Sequence, residues 1–203
     1  MARTRVPLLA LVLAFFLAGA GCGRKLPLHV WISDEFDDEE AEAILLGMDA
    51  WERATNLHIF VYHGRWYDQF NWEDLGDDAH VVYKLHDASY EYRYLSCHGN
   101  DDLAGYGTYG DVLIALDYWE AFRDEDPDGI VYGNGLEFTR NAFYLRLLRE
   151  LATHELGHFI GLMHNPDKGA VMYPFDNDIL FPTALDMEAF WSVYYYRRPP
   201  ARR

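Results

Sequence analysis

Apolar residues fall in short runs through the first half of the chain and settle into a helical period in the second. Leu28 to Ser33 reads as a first strand. The acidic stretch Asp34 to Glu40 leads into a helix reaching about Thr55. Ala43, Ile44, Leu46, Gly47, Ala50 and Trp51 recur there at helical spacing, and acidic side chains suit its positive N-terminal end. Leu57 to Tyr62 reads as a second strand and Ala79 to Leu85 as a third, with a polar and aromatic loop over 63–78. Glycines at 99, 105, 107 and 110 break any regular pattern, and Asp111 to Leu116 reads as a further strand. Asp117 to Gly135 reads as a long loop. A strong helix follows from Thr139 to Gly161, where Phe143, Leu147, Leu148, Leu151, Leu156 and Phe159 form a core-facing stripe. A last helix begins at an N-cap, Thr183, with Asp186 three residues on, and runs to about Tyr196. Strands first and a long helix later, without regular alternation, indicate an α+β domain.

Composition narrows the function classes. The 203 residues, 50% hydrophobic and 16% aromatic, suit one folded domain. A formal charge of −16 excludes a nucleic-acid partner, which needs a basic surface, and is compatible with calcium binding. Arg3 and Arg5 precede an apolar run, Leu8 to Leu17, too short to cross a bilayer comfortably. Small residues and Cys22 follow, so residues 1–21 read as a secretory signal. Gly19-Ala20-Gly21-Cys22 also resembles a bacterial lipoprotein cleavage box, with Gly19 in place of the usual Leu, which makes Cys22 a lipidated first mature residue. Ordinary cleavage near Ala20 is the other reading. The expected organisation is a signal peptide, one catalytic domain over 22–196 and a basic, disordered tail over 197–203. The expected location is outside the cytoplasm, secreted or lipid-anchored to a bacterial membrane. Only Cys22 and Cys97 are present, so no disulfide framework holds the fold.

The chemistry is concentrated in His154-Glu155-Leu156-Gly157-His158. Two histidines four apart project from one helix face, so both imidazoles can reach one ion. Zinc suits imidazole nitrogen and makes little geometric demand. Glu155, beside the first ligand, can take a proton from water that the ion acidifies. Gly161 comes three residues after His158 and His164 six after it. A third ligand cannot stay on the same straight helix, and glycine accepts the left-handed conformation that turns the chain back. Three neutral ligands leave a fourth position open, which favours catalysis over a closed structural site.

The run His154 to His164, followed by Ala170-Val171-Met172-Tyr173-Pro174, resembles a metzincin protease of the matrixin type, with Met172 and Tyr173 in its methionine turn. Ala43-Ile44 through Asn56-Leu57, Asp78-Ala79-His80-Val81, Gly110-Asp111-Val112 and Leu185-Asp186 are similar to further parts of that family. The resemblance implies a twisted mixed sheet, a long active-site helix and a C-terminal helix. It implies one catalytic zinc, a structural supporting role for Gly161, Met172 and Tyr173, and a peptide substrate lying extended along an edge strand, with Leu103 to Tyr109 as that edge. Asp117 and Glu120 match an acidic pair that often coordinates calcium in the family, so Ca2+ is a second expected ion. Asn165, Phe175 and Asp176 depart from the family's usual residues around the specificity pocket. The family's structural-zinc ligands are largely missing, with Gly105 and Leu113 in their regions; His86, Asp87 or His98 are read as solvated loop residues. Asp124 to Gly129 begins like a calcium loop, but Gly135 stands where that loop needs a bidentate Glu.

The expected activity is therefore zinc-dependent endopeptidase cleavage by a monomer. The alternatives are an amidase acting on cell-wall peptides and a surface binding protein that retains a zinc site without using it.

Overall fold

A computed structural model describes residues 25–67, 79–84, 105–107, 112–114, 117–175 and 177–194. Residues 1–21, Cys22, His86, Asp87, Cys97, His98, both ends of the expected substrate edge (Leu103 and Tyr109), Asp176 and residues 197–203 lie outside the described residues. Five strands form one sheet: β1 (Leu28–Ser33), β2 (Phe60–Trp66), β3 (Ala79–Lys84), β4 (Gly105–Gly107) and β5 (Val112–Ile114). Their order is β2-β1-β3-β5-β4, with β4 antiparallel to β5 and the other neighbours parallel. Helices α1 (Asp38–Thr55), α2 (Asp117–Glu125), α3 (Arg140–Phe159) and α4 (Ala184–Val193) accompany it, with a hairpin of β6 (Ile130–Gly133) and β7 (Leu136–Thr139) before α3. The architecture is the expected mixed sheet with a long helix and a C-terminal helix.

Burial follows the alternation written in β1. Leu28, Val30 and Ile32 face inward, and His29 and Trp31 do not. The inner face meets Ile44, Met48 and Trp51 of α1 and Leu148, Ala152, Leu156 and Phe159 of α3, all buried. Each large side chain so removed from water contributes roughly 1.5–3 kcal/mol, more than helix propensity supplies per residue. Packing therefore decides where α3 lies. The Trp51 indole N–H donates to the Thr153 carbonyl at 2.7 Å, fixing the height of α1 against α3.

Several boundaries differ from those read in the sequence. Strand β2 starts at Phe60 because Asn56 adopts a left-handed conformation after α1 and the Glu52 carboxylate takes the N–H groups of Ile59 and Phe60. It continues through polar His63-Gly64-Arg65 because an edge strand tolerates solvent, and a bulge breaks its register there. The stretch Asp117 to Gly135 is not a loop. It holds α2, whose Trp119 and Phe122 pack edge to face, and the first hairpin strand. Its acidic, Pro- and Gly-containing composition conceals both. Helix α4 ends at Val193, short of Tyr196, where the Tyr194 N–H bonds the Phe190 carbonyl.

A buried ionic cluster ties four elements together. Glu40, 1% exposed, is the third residue of α1, and its carboxylate accepts the Asp37 N–H at 2.8 Å in a reciprocal capping box. The same carboxylate receives Tyr144 Oη of α3 at 2.6 Å, Lys84 Nζ of β3 at 3.1 Å and Arg123 Nη1 of α2 at 3.1 Å. Burial raises the Glu40 pKa, but the bonds from Tyr144, the Asp37 backbone and Lys84 outweigh it and hold the carboxyl below its ordinary value. Because the folded pKa lies below the unfolded 4.5, this group stabilises the fold above that pH. The contribution disappears as pH falls through the lower folded value. Glu40→Ala removes the more deeply buried of the two anions that Lys84 and Arg123 share, leaves Glu120 alone between them and strips Tyr144 Oη of its acceptor, and is expected to cost ~3–5 kcal/mol by urea unfolding at pH 7. A loss under about 1 kcal/mol would contradict this account, because only an exposed pair is worth so little.

Candidate metal centre

Helix α3 presents its chemistry in its last two turns. His154 and His158 lie one turn apart, and Glu155 between them is 4% exposed. The helix then stops in a Schellman arrangement: the Gly161 N–H bonds the His158 carbonyl at 2.8 Å and the Leu162 N–H bonds the Gly157 carbonyl at 2.9 Å. Gly161 has φ +96°, the left-handed conformation expected of it. The reversal brings His164 back beside the helix, with its ring centroid 4.6 Å from that of His158 and 5.3 Å from that of His154. One ligand nitrogen from each of the three imidazoles lies within 4.8 Å of the other two.

Two of the rings are held in a defined tautomer. His154 Nδ1–H donates to the Val171 carbonyl at 2.7 Å, and His158 Nδ1–H to the Leu162 carbonyl at 2.8 Å. Each bond leaves Nε2 with its lone pair free, the state a divalent metal requires. Burial lowers the pKa of all three histidines, that of His158 to about 4 with help from His154. Neutral imidazoles, fixed tautomers and converging nitrogens fit zinc.

The turn over residues 170–173 lies under this helix. Ala170, Val171 and Met172 are buried and Tyr173 half-buried. A Cβ added to Gly157 would stand 2.2 Å from Met172 Sδ and 2.9 Å from Trp51 Cζ2, so only glycine permits the approach. The buried Asp186 of α4 holds the turn from the other side, accepting the Val171 N–H at 2.9 Å and the Met172 N–H at 3.0 Å. The same carboxylate accepts the Thr183 N–H and hydroxyl, so it caps its helix and anchors the turn at once. The Met172 carbonyl in turn accepts the Asn165 N–H at 2.7 Å, joining the turn to the segment carrying His164.

The structure thus brings together His154, His158, His164, Gly161 and Met172, with Glu155 between the first two histidines and Tyr173 next in the turn. Asp117 and Glu120, the expected calcium pair, lie in the first turn of α2. Glu120 is committed to Lys84 at 2.6 Å and Arg123 at 3.4 Å within the buried ionic cluster, and the Asp117 side chain lies outside the described residues. Sequence reasoning missed the second role of Asp186. Its signal is an acid at the third position of a helix, which reads as capping alone. It also missed the demand on Gly157, which no local pattern announces.

A sequence profile of the matrixin family matches residues 77–194, more than half of the chain, and spans the metal centre, the turn beneath it and α4. No curated protein matches the chain.

Gly157→Ala is expected to destabilise the protein by roughly 1–3 kcal/mol through overpacking against Met172 and to speed zinc loss to a chelator. Unchanged stability and metal retention would contradict the close approach. For the metal-free chain, His158 protonates near pH 4 when folded and near 6.5 when unfolded. The unfolded state takes up the proton first, so stability falls as pH drops from about 6.5 to about 4, after which this contribution levels off. Denaturation midpoints of the apo protein across that range check the sign.

Proposed function

The chain belongs to the matrixin family of metalloproteases, and on that premise we propose that it is a zinc endopeptidase in which His154, His158 and His164 hold the metal and Glu155 is the general base. The observation carrying this reading is the convergence of three neutral imidazoles, two with Nδ1 tied to backbone carbonyls, beside a buried carboxylate. Zinc, once bound, supplies Lewis acidity toward the peptide carbonyl and acidifies water. The protein's residues do the rest. The Val171 and Leu162 carbonyls keep the imidazoles aimed. Glu155 accepts the proton of the attacking water and delivers it to the departing amine nitrogen. Gly161 and Met172 preserve the geometry on which the ligands depend.

The substrate is a peptide segment lying extended. Among the described residues strand β4 stands last in the sheet, antiparallel to β5, which supports pairing of a substrate backbone with its outer edge. The leader pattern, with Cys22 at its end, supports work outside the cytoplasm, either free or lipid-anchored. An intact Glu155 weighs against a protein that only binds, since binding makes no use of a general base.

Glu155→Gln keeps shape and volume but cannot accept a proton. It is expected to lower kcat by at least ~10²-fold, the lower end of what general-base catalysis contributes, with the zinc content unchanged. Wild-type turnover in that variant would sink the mechanism. Cleavage of purified cell-wall peptides in preference to defined linear peptides would instead favour amidase action on the same centre.

A further inference from the structure

Helix α3 carries a polar stripe longer than the metal centre needs. Arg146, Glu150, His154 and His158 follow at steps of four and share one face. The later two point their chemistry at the metal. The earlier two hold the chain that emerges from the turn beneath it. Glu150 Oε1 accepts the backbone N–H groups of Asn177 at 3.1 Å and Asp178 at 2.9 Å. Arg146 Nη2 donates to Asp178 Oδ1 at 3.1 Å. The segment leaving Met172 is therefore tied to one helix at both ends, through the Val171 carbonyl on His154 and through Asn177 and Asp178 on Glu150 and Arg146. It carries Tyr173 and Phe175, whose rings meet edge to face at 5.6 Å, and Phe175 is 71% exposed. This exposed aromatic follows four residues after the Val171 carbonyl that holds His154, so a ligand reaching from the metal centre along this segment meets it.

The hairpin of β6 and β7 reaches this segment from 44 residues away. Asn134 and Gly135 form its two-residue turn, with φ +50° and +76°, the double left-handed geometry of a type I′ turn. The Asn134 side-chain amide donates to the Asp178 carboxylate. Asp178 itself has φ +60°, in the left-handed region that Asp enters more readily than most side chains, which turns its carboxylate at a bend in the segment. Below the tip, Phe138 of β7 lies under the Arg146 guanidinium at 5.8 Å, so the hairpin holds both partners of that ion pair. Core burial does not explain the hairpin, because Ile130, Tyr132 and Leu136 remain exposed.

We propose that the β6–β7 hairpin is a clamp on residues 173–175 and 177–179, and that Asn134 at its tip is a positioning residue setting which peptide side chains the site accepts. The specificity part rests on the endopeptidase reading; the clamp itself does not. Asp178 is held below the ordinary carboxylate range chiefly by the Asn134 bond, consistent with a carboxylate kept charged for this contact.

The test uses the zinc-loaded full chain with Asn134→Gly, which retains the turn's backbone but removes the amide, and Asn134→Asp, which sets a carboxylate against Asp178. Amide hydrogen exchange at residues 177–179 is expected to quicken about tenfold in both, the loss of one charge-assisted bond. The zinc content should be unchanged. Cleavage of a peptide library should show altered side-chain preference, with the loss on preferred peptides falling on KM more than on kcat. Unchanged exchange overturns the clamp, even if Tm falls. Faster exchange with an unchanged preference reduces the hairpin to a brace and overturns the specificity role. A wild-type chain that cleaves no peptide counts against the endopeptidase reading instead, and the exchange measurement then decides the clamp alone.

Discussion

At position 157 the long helix α3 has no side chain, and Met172 occupies the space where one would be. The metal centre follows from that contact. With the turn pressed against the helix, the Val171 carbonyl reaches His154 Nδ1 and the Met172 carbonyl reaches the Asn165 N–H. Asp186 holds the turn's two free N–H groups. Three stretches of chain, the helix, the returning segment with His164 and the start of α4, are thereby placed by one close approach. Backbone carbonyls orient two of the imidazoles. Such second partners fix tautomer and ring direction and so lower the ordering cost of holding a metal.

The same helix is held at its other end by charge. An acidic protein with a formal charge of −16 places Lys84 and Arg123 inside, around Glu40 and Glu120. Buried ion pairs seldom outweigh their desolvation by much, so the cluster's worth lies in position as much as in energy. It fixes the sheet through β3, the first helix through its cap, α2 through Arg123 and α3 through Tyr144. Apolar packing alone would tolerate small sliding of α3 along α1. A carboxylate with four directional donors would not.

What the sequence disclosed follows from how local each cause is. The spacing of His154, His158, Gly161 and His164 is a local requirement of helix geometry and reversal, and it was readable as a convergence of three imidazoles. The alternation in β1 and the apolar stripe in α3 likewise gave their elements to within a residue or two. Acidic composition hid α2, although Trp119 and Phe122 lie three apart on one of its faces. Asn134-Gly135 is a strong hairpin signal that the surrounding glycines and acids obscured. The longer reach of β2 was hidden by polar residues that only an edge strand accepts. Gly157 against Met172, Asp186 on the turn and Lys84 at Glu40 were illegible for a different reason. Each depends on a partner far along the chain that only the tertiary structure selects. The two cations that Glu120 faces, Lys84 and Arg123, were not announced by its acidic surroundings either.

The central claim is that three histidines of this chain hold a zinc ion that cuts peptide bonds. The most direct measurement is the zinc content of the purified domain, paired with hydrolysis of a mixed fluorogenic peptide library before and after chelation. This account predicts one zinc per chain, cleavage that stops when the metal is removed and cleavage that returns when zinc is restored. Cleavage that persists after the zinc has gone, or a folded chain that binds none, would contradict it.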